Sequence, residues 1–273
     1  MPVANVNGVD LHYEVQGGGP PVVIVHGSWT DHTAWQAVAE RLAGSFRVIR
    51  YDRRGCSRSE RPPGPRTRHH DEDDLAGMIE DLAGGRAIVV ASSFGGLVTL
   101  GLAGRRPELL ERMCVHEAPC VALAGGDEAQ VVEESVAALG GVVEQVEAGD
   151  SAGAARRFVE ELALGPGGWD LLPESIRATF VNNAPAFAAE QRDPAWSELD
   201  LAAIAEGEIP LLLTRGTVGP AWFGILQKRL ADALPHADTA VIEGAGHSPH
   251  MSHPAEFADV IGPFIGARVT GAA

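Results

Sequence analysis

Ala87-Ile88-Val89-Val90-Ala91-Ser92-Ser93-Phe94-Gly95-Gly96 is a short apolar run that reaches a serine among small residues and then opens into helical spacing. A strand, a sharp turn and a helix in that order hold a serine hydroxyl clear of a sheet, because small residues two before and two after it let the two backbones close on the turn. The usual pattern is G-x-S-x-G; here Ala91 replaces the first glycine, adding one methyl group. A capping serine at an ordinary strand-to-helix turn reads the same way locally. A serine hydroxyl is a poor nucleophile near neutral pH, so a catalytic reading needs a base and an orienting group elsewhere in the chain.

The same grammar extends in both directions. Val22 to Val25 is a continuous apolar strand before His26-Gly27, Arg47 to Tyr51 is a strand before Asp52-Arg53-Arg54-Gly55, and Arg112 to His116 is another. Helical spacing fills Trp35 to Ala43, Asp73 to Leu82 and Gly96 to Ala103. Strands alternating with helices of this length predict an α/β fold, a parallel sheet joined by right-handed crossovers. Residues 3 to 15 predict an antiparallel edge ribbon on the Asn7-Gly8 turn. Between about 121 and 206 the strand pattern stops, and Val131, Val132, Val136 and Leu139 recur at helical spacing. Strands return at 209–213 and 239–242, before an amphipathic stretch from Pro254 to Ile265. The expected organisation is a core over 1–120, a helical cap over 121–206 and the rest of the core over 207–273.

Composition narrows the partners. The chain has 273 residues, 45% of them apolar, and 21 basic against 37 acidic residues give a net charge of −16. Such a surface repels phosphate backbones and anionic lipid, so neither nucleic acid nor a membrane is an expected partner. No run approaches the roughly 18 apolar residues of a membrane span. The opening Met1-Pro2-Val3-Ala4-Asn5-Val6-Asn7-Gly8 has no basic patch or apolar stretch, so no targeting segment and a cytoplasmic location are expected. Cys56, Cys114 and Cys120 are an odd number without C-x-x-C spacing, which argues against disulfides or a zinc site; they read as buried, with Cys120 held open.

The base for Ser93 is expected late in the chain. Gly244-Ala245-Gly246-His247 follows the last strand, where a loop can carry an imidazole over the strand ends, and His247 is the candidate. His250 and His253 complete an H-x-x-H-x-x-H pattern, but Pro249 and Pro254 disfavour the regular helix that would align a metal site, so no metal is expected. The orienting acid normally follows the next-to-last strand, yet residues 214–220 contain no carboxylate. One strand earlier, Met113-Cys114-Val115-His116-Glu117-Ala118-Pro119 places Glu117 just beyond a strand's carboxyl end. Glu117 is chosen over Asp52, which reads as a turn residue bonding its own backbone; a helix cap or a salt bridge is the competing account of Glu117. Donors for a developing oxyanion are expected from the backbone amides of Phe94 and Ser28, with Trp29 walling the pocket and Trp35 an ordinary core aromatic. The run His69-His70-Asp71-Glu72-Asp73-Asp74 reads as a solvated helix entrance, and Arg58 to Arg68 as an exposed loop.

His26-Gly27, Asp52-Arg53-Arg54-Gly55, Ser93 in its turn and Gly246-His247 together resemble the α/β-hydrolase superfamily over nearly all of residues 5 to 265. The resemblance implies an eight-stranded, mostly parallel sheet, a helical cap between strands six and seven, and no cofactor. More narrowly, residues 113–119, Cys56-Ser57-Arg58-Ser59 and residues 247–254 look like the fungal zearalenone lactonases, which use a glutamate after strand six to open a macrolactone. Asn183-Ala184-Pro185-Ala186-Phe187 also resembles their cap, although Phe187 stands where they carry a tryptophan that packs on the ligand. The resemblance therefore makes Phe187 a substrate-binding candidate.

The leading expectation is a serine hydrolase of small-molecule carboxylic esters, lactones included, with Ser93, His247 and Glu117 in the order serine, acid, histidine along the chain. Cleavage of a carbon–carbon bond or perhydrolysis by the same residues is the nearest alternative. A catalytically silent ligand receptor is another, favoured by the missing acid after Leu213. Epoxide hydrolases and haloalkane dehalogenases need a carboxylate where Ser93 stands. Acyl length, enantiopreference and oligomeric state stay open, a homodimer among the outcomes.

Overall fold

The computed structural model describes residues 2–267. Its eight strands are β1 Val3–Val6, β2 Val9–Gln16, β3 Pro21–Val25, β4 Arg47–Tyr51, β5 Ala87–Ser92, β6 Leu110–His116, β7 Leu211–Gly216 and β8 Asp238–Ile242. They form one sheet in the order β1-β2-β4-β3-β5-β6-β7-β8. Only β2 runs against its neighbours; all other pairs are parallel. Asn7 and Gly8 take φ of 50° and 73°, the two positive values that a tight hairpin with strand twist requires.

Helices α1 Gln36–Leu42, α2 Arg68–Ala83 and α3 Phe94–Arg105 cross between the early strands. The chain from β6 to β7 runs through α4 Ala129–Glu147, α5 Ser151–Arg157, a π-helical turn Phe158–Ala163, α6 Gly168–Leu171, α7 Glu174–Gln191 and α8 Leu201–Glu206. Helix α9 Ala221–Ala233 follows β7, and α10 Pro249–Ser252 and α11 Pro254–Gly266 follow β8. The central strands are buried on both faces, and successive residues join opposite cores with period two. Val23 and Val25 join Leu75 and Ile79 of α2 and Leu97 of α3 in one core, while Val22 and Ile24 join Val38 of α1 and Phe257 and Ile261 of α11 in another.

The topology places the site. From β3 the next strand lies on one side and β5 on the other, which opens a crevice beyond the carboxyl ends of these two strands. Val25 pairs with Ala91, so the loops leaving β3 and β5 emerge side by side. Helix α7 is tied to the sheet domain above this crevice by Asn183, which is fully buried. Its Oδ1 accepts the Ser57 N–H at 2.7 Å and its Nδ2 donates to the Thr30 carbonyl at 3.0 Å.

Four expectations change. Helix α4 buries Val132, Leu139, Val142, Val143 and Val146, whereas Val131 and Val136 of the expected stripe face water, because the packed face runs on along the helix past Leu139. Helix α2 begins at Arg68 rather than Asp73, since Thr67 and the His70 side chain cap it reciprocally. The acidic run is not solvated: Asp71, Glu72 and Asp74 are buried against arginines. Arg53 and Arg66 pair with Asp71, Arg54 with Asp74, and Arg68 and Arg105 with Glu72. Buried carboxylates persist only when paired in this way. Arg68 and the Arg66 head group accordingly leave the surface and Ser59 is buried as well, whereas Arg58, Glu60, Arg61 and residues 63–65 stay exposed.

Candidate active site

Ser93 sits at the tip of the β5–α3 turn with φ 53° and ψ −128°, a conformation that L-residues avoid unless their surroundings enforce it. The enforcement is steric. A Cβ on Gly95 would lie 2.3 Å from the Val25 carbonyl oxygen, and one on Gly27 would lie 2.9 Å from the Ser93 Cβ. Only glycine permits β3, the turn and α3 to close on one another here. The Ser93 side chain stays partly exposed and lines a cavity of about 560 Å³.

His247 enters the same cavity from the loop after β8. Its Nδ1 lies 2.8 Å from Glu117 Oε2, and Glu117 Oε1 accepts the Gly216 N–H at 2.9 Å. The end of β7 thus supplies an amide to the acid in place of an acid. Burial alone would push the Glu117 carboxyl up, but the His247 bond, the neighbouring His116 and the Gly216 amide hold it down at about 2. An ionised Glu117 can only accept, so Nδ1 carries a proton and, in the neutral ring, Nε2 is the nitrogen with the lone pair. Phe223 stacks on the imidazole at 3.6 Å and 12° and fixes its plane. Nε2 has no protein partner among the described residues, the Ser93 hydroxyl included. Glu117 also has a positive φ, 45°, as do Ser93 and Trp29, so backbone strain gathers at this site.

The amides of Ser28 and Phe94 bond to no protein acceptor among the described residues. Arg53 explains the orientation of the first. Its Nε donates to the His26 carbonyl at 3.0 Å and its Nη2 to the Gly27 carbonyl at 3.1 Å. The Gly27–Ser28 peptide is trans, so with its carbonyl turned to Arg53 its N–H points the opposite way. Arg53 is held in turn by Asp71 at 2.9 Å and Glu190 at 2.5 Å, and Glu190 Oε2 accepts the Ser28 hydroxyl at 2.6 Å. Sequence reading missed Arg53 and Glu190. Arg53 carried a signal, an extra basic residue beside the turn, but its partner lies 137 residues away on α7.

A model of the alpha/beta hydrolase family matches residues 22–260, a span that contains Ser93, Glu117 and His247. The chain belongs to the alpha/beta hydrolase family. It is similar to the uncharacterized hydrolase YraK of Bacillus subtilis, 36% identical over 132 residues, 47% of this chain and 48% of that one. The chain spans about half the length of the curated relatives that it matches first. Among solved structures, the enol-lactonase from Burkholderia xenovorans LB400 superposes with a TM-score of 0.80 at 25% identity over 97% of this chain and 100% of that one. A thermophilic esterase from Thermogutta terrifontis gives 0.78 at 25% identity over 96% and 97%.

Other candidates in this alpha/beta hydrolase fall elsewhere. Trp29 lines neither cavity that meets Ser93; it lies one layer behind, stacked on Phe158, Phe180 and Phe187 at 5.0, 6.1 and 4.4 Å. Its left-handed backbone turns the indole away from the crevice and into the inserted helices. Phe187 faces a second, small cavity beside Ser93 and Phe94. Asp52 bonds His32 Nδ1 at 2.5 Å and the His32 and Arg58 amides, away from His247. Its partners are therefore a neighbouring loop as well as its own turn. Trp35 is buried, with His250 stacked flat on it at 4.2 Å. The three cysteines are free and buried, and burial pushes the Cys120 thiol up to about 12.

Two groups could bring ligand atoms within 4.8 Å of one another, His12 with Glu14 and His32, and Asp31 with His32 and Asp52. Both are occupied by internal pairs: Asp52 takes His32 Nδ1, Arg50 takes Glu14, and Arg58 lies 3.2 Å from His12 Nε2. His247 is taken by Glu117 and His253 Nδ1 meets the Ser252 hydroxyl, so the H-x-x-H-x-x-H pattern does not converge. Among the described residues no helix is long and apolar enough to cross a membrane.

Proposed function

We propose that this chain hydrolyses carboxylic esters or lactones through an acyl-enzyme on Ser93. The observation that carries the reading is the Glu117–His247 bond of 2.8 Å, which occupies Nδ1 and makes Nε2 the basic nitrogen of the neutral ring, in the cavity that Ser93 also lines. In the first half-reaction Nε2 removes the Ser93 proton as Oγ attacks the carbonyl carbon. The Ser28 and Phe94 amides receive the oxyanion, and Glu117 steadies the imidazolium. His247 then gives its proton to the leaving oxygen. Water repeats the sequence, releases the acid and restores Ser93. The enol-lactonase and esterase likenesses support this class of substrate.

Labelling with a fluorophosphonate alongside turnover of p-nitrophenyl acetate tests the proposal. Wild-type protein is expected to be labelled once, at Ser93, with loss of turnover, and Ser93→Ala to show neither. Binding of an ester without turnover or labelling would favour the silent receptor instead.

A further inference from the structure

Ser93 opens onto two cavities of very different size. One is the cavity of about 560 Å³ that His247 lines; the other, of about 20 Å³, is lined by Ser28, Ser93 and Phe94 but not by His247. The second has room for about one water or one methyl group. Its walls are stiff, with Pro119, Phe158, Phe187 and Phe223 closing it.

The proton path assigns the two spaces. In the step proposed above, Ser93 Oγ bonds to the carbonyl carbon, the bond from that carbon to the leaving oxygen breaks, and the imidazolium proton goes to that oxygen. The leaving alcohol must therefore lie where His247 can reach it, in the large cavity. With the carbonyl oxygen on the Ser28 and Phe94 amides, the remaining substituent of the carbon, the acyl chain, is directed to the small one. Resting on the Ser93 reading, we infer that the substrate is a short-chain acyl ester, acetyl in size, of a bulky, uncharged and largely apolar alcohol.

Two further features fit that alcohol. No aspartate, glutamate, lysine or arginine lines either cavity, so a charged group would enter without a partner. The mouth of the large cavity is apolar: Leu171 is 85% exposed, Val218 56% and Leu164 38%, and all three border it. These are surfaces that an apolar alcohol would cover on entry.

Two ester series test the inference. One keeps 2-naphthol as the alcohol and lengthens the acyl group from acetate to octanoate; the other keeps acetate and enlarges the alcohol from methanol to a menthol-sized ring. The expected result is a fall in kcat/KM of about tenfold or more from acetate to butanoate, in line with what one or two unaccommodated methylenes cost, and a rise with alcohol size. Phe187→Ala, or Leu139→Ala at the same wall should the first variant fold poorly, is expected to move the preferred acyl group to butanoate or longer. Octanoate turned over as well as acetate by the wild-type protein would overturn this inference alone. No turnover of any ester together with an unlabelled Ser93 would overturn the catalytic reading and this inference with it.

Discussion

Arg53 donates to the Gly27 carbonyl at 3.1 Å, and through the rigid peptide that follows this sets the direction of the Ser28 amide. The pairing of Arg53 with Glu190, and of Glu190 with the Ser28 hydroxyl, means that α7 holds the same loop from above. Glu190→Gln keeps the size of this side chain and removes its charge. The expected outcome is a kcat about tenfold lower with KM changed no more than about twofold, because an amide donor that is loosened rather than deleted loses part of the roughly hundredfold effect of such a donor. Glu190→Asp should recover part of the loss. Steady-state kinetics at a temperature where both variants are folded decides it; a lowered melting temperature with unchanged kcat would mean that Glu190 only supports the fold.

Glu117→Gln places an amide where the carboxylate now accepts the Nδ1 proton. Gln can present its NH2 to that nitrogen and favour the wrong tautomer, so kcat is expected to drop by about 10³ to 10⁴ with the circular dichroism spectrum preserved. Retention of more than a tenth of wild-type activity would show that the orienting group has been misassigned.

The acid dependence of stability follows from buried imidazoles. Burial pushes His26 and His116 down to about 4 from an ordinary value of 6.5, and pushes His250 well below that ordinary value too. An unfolded chain protonates these rings below pH 6.5 while the folded chain does not, so stability is full above that pH and is lost as pH falls from about 6.5 toward 4. His26 and His116 each account for at most about 3 kcal/mol across that window. Glu117 adds a further loss only below its unfolded value, between about 4.5 and 2. Urea unfolding at pH 7 and pH 4.5 should show a markedly lower midpoint at the acid pH, and His116→Gln should shrink the difference. A midpoint that does not move would contradict the neutral buried histidines.

Asn183→Ala strips α7 of its buried amide and leaves the Ser57 N–H and the Thr30 carbonyl without that partner. A cost of about 2 to 4 kcal/mol is expected from the unsatisfied groups. Hydrogen exchange should become faster along α7 well before it does in the sheet. Uniform exchange across the molecule would argue that packing, and not this residue, holds the helix down.

The strands, the hairpin and the serine turn were readable because each is specified within a few residues. Two apolar faces alternating along Val22 to Val25, positive φ at Asn7-Gly8 and small residues around Ser93 depend on local backbone sterics that any tertiary context must respect. Glu117 was reachable by elimination, since 214–220 offered no acid. The buried ion pairs were not readable. Asp71 and Glu72 look like solvated helix-start charges until Arg53, Arg66, Arg68 and Arg105 are brought onto them, and the sign of a charge says nothing about where its counter-charge lies.

By itself, then, the order of residues determined the sheet, the turn that presents Ser93, and which side chains were chemically fit to serve it. The fold decided how those parts meet: that Glu117 reaches His247 across 130 positions of chain, that Trp29 turns into the inserted helices instead of the cavity, and that Ser93 faces a large space on one side and a methyl-sized one on the other. The reason is physical. Backbone preference and hydrophobic period act over one turn or one strand, whereas a polar partner, a ring stack or a void exists only between segments that packing has brought together.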